Sequence, residues 1–125
     1  MQQFYRINNL VGWGVFAIAL LSYTLTMEPT VSFWDCGEFI SAAYKLEIVH
    51  PPGSPLHAIV GRVFTLISPG DAAWMMNFFS ALASAFCILF SFWSISYLAR
   101  KALGKRGQDL DVSETIAVMG AGAIG

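Results

Sequence analysis

Apolar positions along this chain gather into long unbroken runs instead of alternating with polar ones. Residues 7–27 are 21 positions without a charge, and residues 72–99 are 28 more. A helix needs about 20 apolar residues to cross a hydrocarbon core of roughly 30 Å, so each run predicts a membrane helix. A run over residues 55–70 holds one full charge, Arg62, and is expected to form a second transmembrane helix or a re-entrant one. Another begins at Thr115 and has run for 11 residues at Gly125, which reads as the start of a further, truncated span. The expected order is a first transmembrane helix within residues 1–27, a loop over 28–54, the 55–70 segment and a membrane helix over 72–99. A basic and polar loop over 100–114 and the helix start over 115–125 complete it. This is an all-α, polytopic membrane protein, of which the chain is expected to be the N-terminal piece.

Polar positions concentrate in the 28–54 loop. Phe39, Ile40, Ala43, Leu46 and Ile48 alternate with Glu38, Ser41, Lys45 and Glu47, which predicts a short amphipathic helix near the membrane surface over residues 35–49. His50-Pro51-Pro52 must end that helix, because a residue before proline avoids the α region and prolines donate no backbone bond.

Composition sharpens the membrane reading. The chain is 56% hydrophobic and 12% charged, against about a quarter charged in a soluble domain. A net charge of −1, without a basic and aromatic patch, argues against a nucleic-acid partner. Cys36 and Cys87 are too few for a disulfide framework and read as free thiols. Arg6 votes for a cytoplasmic N-terminus, and Arg100, Lys101, Lys105 and Arg106 vote for a cytoplasmic 100–114 loop. Both votes hold only if residues 55–70 are re-entrant. Under either topology the Asp35 loop is extracytoplasmic.

The candidate chemistry sits in that loop. Asp35 and Glu38 stand three apart, one helical turn on a shared face. Neighbouring acids push their titrations apart, so one could serve as a general base and the other could tune or orient it. The same spacing fits a helix cap, with Asp35 at the N-cap and Glu38 completing a capping box. His50, His57 and Arg62 follow. A charge inside an apolar segment costs on the order of 3 kcal/mol, so Arg62 is expected to face protein, water or an anion such as a lipid headgroup. A snorkelling or structurally paired arginine is the alternative. No pair of these groups has metal-ligand spacing, so no metal site is assigned, and a divalent ion stays an open question. Residues 120–125 match G-x-G-x-x-G behind the strand-like stretch 115–119, which could open a dinucleotide-binding unit. Small residues at helical spacing are equally at home where membrane helices pack, as are Ser80, Ala81, Ser84 and Ala85.

Asp35-Cys36-Gly37-Glu38-Phe39 and His50-Pro51-Pro52-Gly53-Ser54-Pro55-Leu56 resemble the paired signature of membrane proteins grouped under a domain of unknown function, the DUF2723 type. That family includes bacterial members and an animal transmembrane O-mannosyltransferase, and its layout is similar to the GT-C class of polytopic glycosyltransferases. The resemblance implies a GT-C-like helical bundle in an integral membrane protein, with a bacterial inner membrane as the expected location. It implies sugar transfer from a polyprenyl-phosphate donor to an extracytoplasmic acceptor, either protein or glycan. Asp35 matches the catalytic base and Glu38 the second acid. His50, Pro51, Pro52, Gly53, His57 and Arg62 are expected near the donor's phosphate. It also implies that residues 55–70 span the membrane, against the positive-inside count. The alternative function is a non-catalytic membrane subunit or transporter fragment whose loop is structural. On either reading the partners are the bilayer and the rest of a polytopic protein, without which the isolated chain is expected to be inactive.

Overall fold

A computed structural model describes residues 2–51, 53–68, 70–103 and 110–124. Among the described residues five helices follow one another: α1 Gln2–Thr26, α2 Cys36–Lys45, α3 Pro55–Ile67, α4 Ala72–Ala102 and α5 Val112–Ile124. No strand occurs among the described residues. At 1.5 Å per residue, the 25 residues of α1 and the 31 of α4 rise about 37 and 46 Å, more than a hydrocarbon core. Many apolar side chains of α1 point outward: Leu10 is 77% exposed and Leu25 75%. A soluble core helix would bury these groups, whereas a helix in lipid can leave them on its surface.

Two compact units divide the chain, one made of residues 1–22 and 84–125 and the other of residues 23–83. In the first, Phe4, Phe92, Val118 and Met119 form the buried core. Small residues let the helices close on it. A Cβ on Gly12 would stand 2.6 Å from Trp93 Nε1, and one on Gly122 2.9 Å from the Phe92 ring. The G-x-G-x-x-G match therefore lies in a helix, not behind a strand. The dinucleotide reading fails here because Gly122 is used for close packing on an aromatic ring, while Gly125 lies outside the described residues.

In the second unit α2 packs on α3, with Gly61 at the closest approach. A Cβ there would be 2.9 Å from Ala43 Cβ and 2.6 Å from Met76 Sδ. The 13 residues of α3 rise about 20 Å, roughly two thirds of a hydrocarbon core. The amphipathic helix is shorter than its pattern. It ends at Lys45, not at Val49, because Leu46 turns into the left-handed region at φ 57 and donates its N–H to the Ala42 carbonyl. Glu47 N–H reaches the same carbonyl at 2.9 Å. Residues 46–49 thus form a turn that leads the chain out of the helix well before the prolines. The 100–114 loop is shorter than expected because helix reaches into it from both sides. α4 runs on through Arg100 to Ala102 and α5 opens at Val112. Lys105 and Arg106 of the basic cluster lie outside the described residues.

Candidate functional site

Asp35 occupies the N-cap position of α2, and the Phe39 N–H closes the first helical bond on its carbonyl at 3.1 Å. Its backbone, at φ −78 and ψ 1, lies outside the extended region that aims a capping side chain at the helix, and its carboxylate makes no capping bond. Trp34 before it is in the left-handed region at φ 66 and 93% exposed. A bulky residue in that region is strained, and such strain gathers at sites where the chain's direction matters. The capping box does not form, because Glu38 is engaged elsewhere. The Asp35 carboxylate is left facing solvent.

Glu38 reaches twelve residues along the chain. One carboxylate oxygen accepts the His50 backbone N–H at 2.7 Å and the other meets His50 Nδ1 at 2.8 Å. The ring nitrogen facing a carboxylate carries the proton, which fixes the tautomer if the ring is neutral. The side-chain bond to Glu38 raises the His50 pKa above the ordinary 6.5, aided by the charges of Glu38 and then Asp35. The same bond, followed by the backbone one, lowers Glu38 below 4.5 against an opposing burial effect. Asp35, Glu38 and His50 are thus brought together, with His50 held toward its cationic form between two acids.

The chain then turns. Gly53 N–H donates to the His50 carbonyl at 2.9 Å, and Gly53 adopts φ 77, which only glycine takes without strain. Pro51 lies in this turn, and Pro52 lies outside the described residues. Pro55 opens α3 at a position where the missing N–H costs nothing. His57 does not join the acids. Its ring lies between Phe39, at a centroid distance of 5.5 Å, and Phe79, at 5.6 Å. With Cys36, Ile40, Asn77 and Ser80, His57 and Phe39 line a cavity of about 190 Å³. Arg62 faces protein and not an acid: its guanidinium donates to the Tyr44 carbonyl and lies 5.4 Å from the centre of the Tyr44 ring. It supplies a donor and a positive charge to the carbonyl end of α2, where both are favourable. No cluster of three metal-ligating side chains occurs among the described residues.

Asn77 is a contributor that the sequence reading missed. From α4 its Nδ2 donates to the Glu28 carbonyl at 2.6 Å and to the Thr30 carbonyl at 3.0 Å, tying down the segment that leads into Asp35. The available signal was a strong hydrogen-bonding side chain inside a charge-free membrane run.

A family profile described as the protein O-mannosyl-transferase TMEM260 N-terminal domain matches residues 35–125. The chain is 31% identical over 84 residues to a Dictyostelium discoideum protein named protein O-mannosyl-transferase tmem260, covering 65% of the chain and 10% of that protein. It is 32% identical over 92 residues to the Mus musculus protein O-mannosyl-transferase TMEM260, covering 73% of the chain and 13% of the mouse protein. The match thus spans little more than a tenth of each relative's length. No solved structure matches the chain.

Proposed function

Because the chain belongs to the family of the protein O-mannosyl-transferase TMEM260 N-terminal domain, we propose that its Asp35–His50 corner is the catalytic corner of a membrane glycosyltransferase. The donor is a sugar on a polyprenyl phosphate. The acceptor is a hydroxyl presented on the extracytoplasmic side, and protein O-mannosylation is the form of the reaction that the relatives' names favour. One observation carries the division of labour. Both Glu38 oxygens are engaged by His50, whereas the Asp35 carboxylate is exposed and makes no cap bond.

A carboxylate with two bonds and a lowered pKa is a poor proton acceptor, so Asp35 is the base and Glu38 its positioning neighbour. Asp35 takes the acceptor hydroxyl's proton as that oxygen attacks the anomeric carbon. The bond from that carbon to the phosphate oxygen breaks, and the electron pair leaves with the lipid phosphate. His50, kept cationic by Glu38, stabilises the departing negative charge. Pro51 and Gly53 shape the turn that presents it. His57 lines the neighbouring cavity, and Arg62 acts through α2 without touching substrate. In topology we read α3 as re-entrant, because its length falls short of a span. Residues 28–71 then share one side of the membrane.

The test is Asp35→Asn in the full-length gene product, assayed in membranes for transfer from a polyprenyl-phosphate mannose donor. Transfer should fall by ~100-fold or more, on the scale of a lost general base, with membrane insertion unchanged. Full transfer by the variant would remove Asp35 from the mechanism. Absence of donor binding by the unmodified protein would favour a non-catalytic subunit.

A further inference from the structure

Large apolar side chains stand uncovered in the segment that leads from α1 to Asp35. Val31 is 54% exposed, Phe33 88% and Trp34 93%. In water such a patch is a liability, and it marks a surface that something else covers. Backbone strain points the same way. Trp34 holds φ 66, which a bulky residue keeps only where its surroundings enforce it. So little of its side chain touches the described residues that the compensating contact has to be made outside them. The exposure also continues that of α1, whose last turn carries Leu25 at 75% exposed.

The depth of this segment follows from α4. The charge-free run over residues 72–99 rises about 42 Å, roughly 12 Å more than a hydrocarbon core. Centred in a bilayer, it leaves its first turn among the headgroups. Asn77 lies about 8 Å along the axis from Ala72, close to the hydrocarbon edge, and its Nδ2 holds the Glu28 and Thr30 carbonyls. From Thr30 to Trp34 a fully extended chain spans at most about 14 Å, and the bend at Phe33 and the turn at Trp34 shorten that path. Phe33 and Trp34 are therefore tethered near the lipid–water boundary. Their chemistry suits it: an indole presents an apolar body to acyl chains and one N–H donor to headgroups or water. Trp74, on the first turn of α4 and stacked on Phe78 at 5.2 Å, sets a second aromatic group at that end of the helix.

We infer that Phe33 and Trp34 form an interfacial anchor, seated in the boundary layer of the bilayer with phospholipid as the partner that covers them. The outward turn at Trp34 is then held by lipid contact, and the strained φ has its compensation. The consequence is positional. Asp35 follows Trp34 directly, so the anchor fixes the height of that acid relative to the membrane surface, whatever its chemistry. The inference rests on the membrane reading of α1 and α4 and not on the proposed transfer.

The test uses the full-length gene product reconstituted in phosphatidylcholine bilayers, with the photo-reactive residue p-benzoylphenylalanine substituted at Trp34 and, in a second protein, at Phe33. After irradiation the peptides that carry the probe are mapped by mass spectrometry. Most of the crosslinked product at each position should be heavier by the mass of one phosphatidylcholine. Crosslinks mainly to another protein segment, of the same polypeptide or of a second copy, would mean that protein covers the patch and would overturn the anchor. Absence of any adduct at both positions would place the patch in water and overturn it as well. Phe33 lacks the left-handed backbone of Trp34, so its variant decides the matter even if replacement at Trp34 disturbs folding. Transfer activity is not read, so a negative result here leaves the catalytic proposal standing, and a failure of that proposal leaves the anchor standing.

Discussion

Both units seat helices on a glycine, Gly61 in one and Gly12 and Gly122 in the other, but they differ in what else holds the chain. In residues 23–83 the decisive contacts are polar and reach far along the sequence: Glu38 to His50, Arg62 to the Tyr44 carbonyl and Asn77 to the carbonyls of Glu28 and Thr30. In residues 1–22 and 84–125 they are steric, with Gly12 against Trp93 and Gly122 against Phe92. The difference follows from backbone geometry. Where the chain leaves the helix between α1 and α3, its N–H and C=O groups lose their helical partners, and side chains must replace them. Where helix lies on helix the backbone is already satisfied, and small residues need only permit close approach.

Breaking the polar side of this comparison should produce the largest effect. Glu38→Gln removes the charge that holds His50 cationic while keeping the side chain's length. We expect transfer to fall by ~100-fold, with the pH profile of the remaining activity shifted and helical circular dichroism unchanged. A parallel loss of helix would make the pair a folding element and not a positioning one. The steric side should answer through stability. Gly122→Leu forces a side chain into the Phe92 ring and should cost about 1–3 kcal/mol, read as a lower midpoint of unfolding in mild detergent. An unchanged midpoint would show that α5 can shift without loss.

A pH titration sharpens the contrast further, because only the polar unit should respond. His50 is raised in the folded chain, so its share of the contact is intact below its unfolded value of 6.5 and is lost as pH rises through the higher folded value. Glu38 is lowered, so its share is intact above 4.5 and is lost as pH falls through the lower folded value. Protection of the His50 amide against hydrogen exchange should therefore plateau between 4.5 and 6.5 and decline on both sides. The smallest effect belongs to the ion pair between Lys45 and Glu47, exposed and 3.9 Å apart. Glu47→Ala should change stability by less than about 0.5 kcal/mol. A larger change would mean that the turn after α2 depends on it.

The sequence was readable where one physical term dominates. The charge-free runs over residues 7–27 and 72–99 mark α1 and α4, because burial in lipid tolerates few alternatives, although both helices extend into polar flanks that periodicity does not cover. Asp35, Glu38 and His50 were legible as a group by resemblance. That Glu38 grips His50 was not, since nothing in a spacing of twelve says that two residues meet. The capping spacing pointed the other way and yields to that long-range contact. The early end of α2 was hidden because a left-handed leucine leaves no composition signal, and the same holds for Trp34. The glycine pattern after Thr115 was ambiguous in kind, because phosphate approach and helix approach both require a missing side chain.

The Glu38–His50 contact also closes a ring in the chain, with its ends twelve positions apart. Viewed as a polymer loop, that closure depends only weakly on its length, since doubling the contour adds about 0.6 kcal/mol of entropy. The distance between the two halves of the motif is therefore not fixed by the closure. It is fixed by α2, whose Ala43 must seat on Gly61. Insertions in the turn at residues 46–49 should be tolerated far better than any within the helix, which makes that turn the segment where the corner can change length and still close.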